Sequence, residues 1–326
     1  MGIITCVARP ALTCSGAASG YYSGVDECMT LLMNGTSDMS ARLSPEIEQP
    51  QLELPKAPPT AQARVLIDIL DGIATVTLNR PDKYNGLDMP MFDAITKAAK
   101  TLKKDRSVRV IILCGAGDAF CSGLDIKTVS RNPLNFLKLL FKPGRKISNL
   151  AQDVGYLWRD VPAPVIAVTH GYCFGGGLQI ALGADFRFSS ADCEFSVMES
   201  KWGLIPDMSL AVTLRELIPI DLAKELTMTA RRFNGTEAKA MGLVTRVSDD
   251  PMAEALTFAR ELAERSPDAV AASKLLFNRS WNATDKVALD WETKLQKKIL
   301  GRANQRIAVA RNTSSPEKPW QNRREL

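Results

Sequence analysis

The run Pro164-Val165-Ile166-Ala167-Val168-Thr169-His170-Gly171-Tyr172-Cys173-Phe174-Gly175-Gly176-Gly177-Leu178-Gln179-Ile180-Ala181-Leu182-Gly183-Ala184-Asp185-Phe186-Arg187-Phe188-Ser189 decides the fold. Pro164 to Thr169 reads as an apolar strand. Three glycines then open an apolar helix that continues to about Gly183, and Ala184 to Ser189 reads as the next strand. Upstream, Arg64–Leu70 and Ile73–Leu78 are β-rich runs separated by Asp71-Gly72, a two-residue hairpin signal. Phe92, Ile95, Ala99 and Leu102 share one face of a helix over Met91–Lys104. Val108–Cys114 is a buried-type strand ending in Gly115-Ala116-Gly117, and Ile147–Trp158 reads as a helix. Strands alternating with helices argue an α/β fold with a largely parallel sheet.

From about Ser209 the chain reads helical. Met252, Leu256, Ala259 and Ala263 keep one helical face, and Asp268–Asn278 and Asp285–Leu300 add two further helices. The organisation expected is an N-terminal extension (1–61), an α/β core (62–250), a C-terminal helical region (251–312) and a basic tail (313–326). Residues 1–61 are rich in Ser, Thr, Gly and Pro without sustained apolar periodicity. The first 25 hold no acid and one Arg, which fits either an organelle presequence poor in arginine or a disordered extension.

Composition removes several chemistries. The chain has 326 residues, a net charge of +5, 7 cysteines and 1 histidine. A single histidine, His170, excludes sites built on two or more imidazoles and leaves no metal site to expect. No C-x-x-C pair occurs, so reduced thiols in an intracellular compartment are the expectation. No apolar run reaches the roughly 18 residues of a membrane span. Chemistry here is expected to run on carboxylates, amides and backbone.

Three segments could carry it. Gly175-Gly176-Gly177 permits close backbone approach, and N–H groups at a helix start suit a developing oxyanion. The run matches neither G-x-G-x-x-G nor a P-loop, and alone it fits a tight strand–helix turn at least as well. Ala119-Phe120-Cys121-Ser122-Gly123-Leu124-Asp125 is a turn of small residues that could aim another N–H into the same crevice. Its Cys121 reads as a small buried thiol rather than a nucleophile. Glu199 and Asp207 lie among Val197, Met198, Trp202, Leu204 and Ile205. Apolar surroundings would raise a carboxyl pKa and suit proton transfer. His170 reads as a packed residue at a strand end.

Taken with Asn79-Arg80-Pro81, Asn85-Gly86-Leu87, His170-Gly171 and Ala184-Asp185-Phe186-Arg187, these segments resemble the crotonase (enoyl-CoA hydratase/isomerase) superfamily over about residues 64–312. The resemblance implies a crotonase-like spiral of ββα units followed by a C-terminal helical region, assembled as a homotrimer or a dimer of trimers. It implies an acyl-CoA substrate with no cofactor beyond the coenzyme A it carries. By position, the backbone N–H groups of Leu124 and Gly176 would form the oxyanion hole. Lys83, Ser122 and Asp125 fall in segments that line the CoA groove.

Family hydratases carry two glutamates. One position is Gln179 here, the other Glu199. A glutamine amide cannot exchange a proton near neutral pH. Glu199 with Asp207 partly matches the dienoyl-CoA isomerases, which carry an acid at both positions. The expected reaction is therefore a double-bond shift, with Glu199 as base, Asp207 as assisting acid/base and Gln179 orienting substrate or water. The alternatives are an enoyl-CoA hydratase with a substituted first glutamate, or a non-catalytic acyl-CoA- or RNA-binding relative. The chain from Lys294 onward carries +7, but no aromatic-rich RNA signature accompanies it, so nucleic acid is not the expected partner. The mitochondrial matrix is the favoured compartment, with cytoplasm or peroxisome as alternatives.

Overall fold

A computed structural model describes residues 63–326. The readings of the N-terminal extension fall outside the described residues. β1 (Val65–Leu70) and β2 (Ile73–Leu78) pair antiparallel, with Val65 opposite Leu78 and Leu70 opposite Ile73. Asp71 and Gly72 both take positive φ, 52° and 78°, as a type I′ turn between two strands requires. β3 (Val110–Gly115), β4 (Val165–Thr169), β5 (Tyr172–Phe174), β6 (Phe186–Ser189), β7 (Glu194–Ser196) and β8 (Arg246–Val247) follow. The main sheet runs β1-β2-β3-β4-β6-β8, parallel beyond its first pair.

Its central strands are continuously apolar because both faces are covered. On one face Val110, Ile112, Cys114, Ile166, Val168 and Phe188 meet Ala255 and Ala259 of the Pro251–Ala263 helix. On the other, Ile111, Leu113, Val165 and Ala167 pack with Phe92, Ile95 and Trp158. Phe92 and Ile95 come from the Met89–Lys104 helix, which Asp88 caps by accepting from the Met91 N–H at 2.9 Å. Trp158 comes from the Leu150–Asp160 helix, opened by a reciprocal Asn149/Gln152 capping box. The core therefore extends past residue 250, because the Pro251–Ala263 helix covers the sheet.

A second, short ladder is what makes the fold a spiral. β5 pairs in parallel with β7, and single bridges join Leu87 to Leu124, Cys121 to Cys173, and Phe195 to Phe233. Each turn contributes one strand to the main sheet, one short extended piece to this ladder, and then a helix. Pieces of one to three residues have no detectable periodicity, and the sequence reading shows none of them. The stretch read as wholly helical after Ser209 likewise contains β8 and Phe233, which close the two sheets. The basic tail is not simply solvated. The Arg323 N–H donates to Arg106 O at 3.0 Å, the Arg324 N–H donates to Asp268 Oδ1 at 2.7 Å, and Arg323 is buried. No described helix is long and apolar enough to cross a membrane.

Candidate active site

The ladder brings the turn after β3 against the start of the Gly176–Leu182 helix. The Cys121 N–H donates to Tyr172 O and the Phe174 N–H to Cys121 O, each at 3.0 Å. These bonds fix the register of the Cys121–Leu124 turn on β5. Contact at the end of this pair is so close that only glycine fits. A Cβ on Gly123 (φ 90°) would lie 2.8 Å from Phe174 O, and one on Gly177 would overlap Cys121 O. Gly175, at φ 49° and ψ −117°, turns the chain into the helix. Neither the Leu124 N–H nor the Gly176 N–H donates to an acceptor among the described residues. Two free backbone donors, one from a turn and one from a helix start, thus sit on adjacent segments. That is the arrangement an oxyanion hole needs.

A charged network holds the Leu124 turn. Arg80 Nη1 pairs with Asp125 Oδ2 at 2.9 Å and donates to Gly86 O at 2.9 Å; its Nε lies 3.6 Å from Asp88. Arg64 completes the chain through Asp88 at 2.9 Å. Asn85 is fully buried. It accepts from the Arg80 N–H and donates to Ala116 O and Ala119 O. Asp125 is committed within the chain, capping Ile126–Val129 through the Thr128 N–H and hydroxyl. Burial pushes its pKa up, but the Thr128 and Arg80 bonds outweigh that and hold it below the usual carboxylate value. The structure therefore places Asp125 as a brace for the Leu124 turn. The sequence reading assigned it to substrate and gave Arg80 no role, although an arginine set between Asn79 and Pro81 is the signal that could have found it.

Lys83 and Ser122 are exposed neighbours. The Ser122 hydroxyl donates to Lys83 O at 3.4 Å, so the two segments that the family resemblance assigned to CoA adjoin. His170 is tied through Nε2 to Gly117 O at 2.8 Å, consistent with a packing role. Burial pushes the Cys121 thiol up to about 12, which removes it as a nucleophile. Among the described residues no group of three or more His, Cys, Asp or Glu is placed to hold a metal.

The Glu199 carboxyl stands at the glycine turn, with the Asp207 charge near enough to act on it. Glu199 opens a short 3-10 helix, Glu199–Trp202, directly after the β7 ladder strand. Its Oε1 would lie 3.3 Å from a Cβ on Gly175, so the carboxyl stands beside the helix start. Gln179 is 1% exposed, and its Nε2 donates to Glu199 Oε1 at 2.6 Å. Gln179 Oε1 accepts from the Met208 N–H at 2.8 Å and the Leu210 N–H at 3.3 Å. The amide oxygen and one amide N–H are thus bonded inside the protein, and through them Gln179 clamps Glu199 to the Met208 backbone.

Glu199 Oε2 is buried and has no hydrogen-bond partner. Burial raises the Glu199 pKa above the ordinary glutamate value. The Gln179 bond opposes the rise and the nearby Asp207 charge adds to it. Partial loss of solvent around the Asp207 carboxyl raises its pKa too, although Asp207 as a residue is exposed. The apolar enclosure expected from sequence is only partly realised. Val197 is buried, but Trp202, Leu204 and Ile205 are 62%, 54% and 77% exposed, because the chain reverses at Gly203 (φ 70°) and runs over the surface. The glycine turn and Gln179 stand against the Glu199 carboxyl.

A half-buried carboxylate with one unpartnered oxygen, on segments next to two free backbone donors, defines a class: an enzyme that moves protons next to a stabilised oxyanion. The model of the family described as Enoyl-CoA hydratase/isomerase matches residues 68–321. The chain belongs to this family, within the crotonase superfamily. It is 33% identical over 223 residues to the peroxisomal Delta(3,5)-Delta(2,4)-dienoyl-CoA isomerase of Arabidopsis thaliana, covering 66% of this chain and 80% of that protein. It is 36% identical over 200 residues to enoyl-CoA hydratase EchA19 of Mycobacterium tuberculosis, covering 61% and 71%. Among solved structures, an enoyl-CoA hydratase from Mycobacterium smegmatis superposes with a TM-score of 0.67 at 27% identity, over 80% of this chain and 98% of that one. Enoyl-CoA hydratase EchA1 of Mycobacterium marinum gives 0.70 at 26%, over 79% and 99%.

Proposed function

We propose that this chain shifts a carbon–carbon double bond in an unsaturated acyl-CoA. The observation that carries the reading is the Gln179–Glu199 pair. It leaves one acid/base oxygen, Glu199 Oε2, unpartnered on a carboxyl whose other oxygen lies beside the glycine turn that leads into Gly176. The thioester oxygen accepts from the Leu124 and Gly176 N–H groups, each worth roughly 3 kcal/mol of barrier. That charge stabilisation acidifies a C–H conjugated with the carbonyl. Glu199 takes the proton, and the electron pair spreads into the dienolate. The same proton, or one relayed through Asp207, returns to a different carbon, so no other reactant is consumed. Hydration needs a second group to activate water, and Gln179 does not supply it. Gln179 acts as a positioning residue. Lys83 and Ser122 lie on the segments assigned to the CoA moiety, and the scheme calls for no cofactor or metal.

Assembly as a trimer or dimer of trimers fits the exposed apolar side chains on and beside the C-terminal helices, such as Trp281, Leu289 and Leu300. An intracellular compartment holding acyl-CoA follows from the substrate.

The test is turnover of 2-enoyl, 3-enoyl and 3,5-dienoyl thioesters with product identification, for the native chain and for Glu199→Gln. Isomerisation falling about 10²-fold or more in the variant supports the assignment. Survival within a few-fold, or hydration as the main native reaction, overturns it.

A further inference from the structure

The segment directly after the Leu124 turn plays no part in the proposed chemistry, yet its composition is unusual for a solvent-exposed stretch. Residues 126–149 hold six cations, Lys127, Arg131, Lys138, Lys142, Arg145 and Lys146, and no acid. Among the described residues only Lys138 has an acidic partner, Asp93 at 2.9 Å. At the centre is the Leu134–Leu140 helix, which buries Leu139 and little else. Leu134, Leu137, Leu140, Phe141 and Ile147 are 57–67% exposed, and Phe136 is 39% exposed. The segment is ordered: Asn132 Oδ1 accepts from the Leu134 N–H, and the Asn135 amide donates to Val129 O. Large apolar groups displayed between uncompensated cations cost solubility if they stay in water. They match one environment on both counts, the interface of an anionic bilayer. There the apolar side chains enter the acyl boundary while lysine and arginine meet the headgroup charge.

We propose that residues 126–149 dock the protein on an anionic membrane surface, with Leu137 and Phe141 inserted and Lys142, Arg145 and Lys146 on the headgroups. Leu134 follows Leu124 by only ten residues, so docking holds this side of the site at the bilayer. Amphiphilic thioesters with long acyl chains concentrate there.

The test sediments the full chain with vesicles of phosphatidylcholine alone or mixed with phosphatidylglycerol. Two variants accompany it, the triple Lys142→Gln/Arg145→Gln/Lys146→Gln and the double Leu137→Ser/Phe141→Ser. Melting temperature and elution volume are measured on each. Binding is expected only with phosphatidylglycerol and is expected to weaken with salt. The triple variant is expected to bind about 100-fold more weakly, from roughly fivefold per cation. The double variant is expected to lose binding while keeping its size. Native binding equal on both vesicle types, or absent from both, overturns the proposal. So does native-level binding by either variant. A double variant that keeps vesicle binding but changes size shows that the apolar face joins copies of this chain, and also overturns it.

Discussion

Gln179→Glu is the most informative single change. The clamp predicts that this variant folds, because an oxygen of the introduced carboxyl can still accept from the Met208 and Leu210 N–H groups, which lie 2.8 and 3.3 Å from the native Oε1. What changes is the contact with Glu199. A charge-stabilising amide donor becomes a second carboxyl oxygen at the same 2.6 Å. Two full charges at that separation repel by about 6 kcal/mol at an effective dielectric constant near 20. That is several times the roughly 1.36 kcal/mol of one pKa unit. Both carboxyls therefore cannot ionise near neutral pH, and the pair holds one shared proton. One member then acts as base and the other as acid, the two roles water addition requires. The assay is hydration of a 2-enoyl-CoA, followed by loss of the conjugated double bond, across pH. A gain of about 10²-fold in kcat/KM is expected, the usual contribution of one general acid/base. The profile should be bell-shaped, while the residual isomerisation keeps only its acidic limb. If the folded variant hydrates no faster than the native chain, Gln179 is not what withholds hydration, and the argument from the clamp fails.

Two further outcomes follow from the same contacts. Because burial raises the Glu199 pKa in the folded chain, the folded state holds that proton more tightly than the unfolded state does. Stability from this group is present below the unfolded glutamate value and is lost as pH rises through the folded one. Glu199→Gln, which never ionises, should therefore melt higher than the native chain near neutral pH, with the gap closing toward acid. A variant that melts lower at every pH refutes the desolvation account. Asn85→Ala removes the acceptor of the Arg80 N–H and the donor to two buried carbonyls. It should cost about 3 kcal/mol in denaturant unfolding and slow turnover by loosening the Leu124 turn; a loss below about 1 kcal/mol shows the turn does not depend on it.

The main sheet was legible because burial on both faces leaves long apolar runs. Asp71-Gly72 marked the hairpin because the type I′ turn needs two positive φ values. The second ladder was not legible. A bridge such as Cys121–Cys173 needs one residue from each side, and one residue carries no period. For the site, the residue types could be read and their partners could not. Glu199 and Gln179 are 20 residues apart on different segments, and nothing local marks their bond. The bracing role of Asp125 was hidden for a related reason. A carboxylate in a turn of small residues looks available until Arg80, far upstream in sequence, is found on it at 2.9 Å.

The illegible ladder is what gives the site its precision. Leu124 N–H, Gly176 N–H and Glu199 come from three successive turns of the spiral, and no two share a loop. Their spacing is set by backbone bonds: Cys121 to β5, and β5 to β7, which leads into Glu199. A sheet register does not slip by fractions of a residue, so the ladder fixes the backbone frame on which Arg80, Asp125 and Gln179 then brace the donors and the base. The glycines follow from this. At Gly123 and Gly177 a Cβ would run into the backbone oxygens of Phe174 and Cys121, so substitution there must spread the ladder itself. Gln179 is a side chain inserted between the turns, bonded to Glu199 on one side and to Met208 and Leu210 on the other. On the proposed function, changing what it donates is expected to alter the chemistry while leaving the backbone register in place, so that a single amide would separate proton shuttling from water addition on one scaffold.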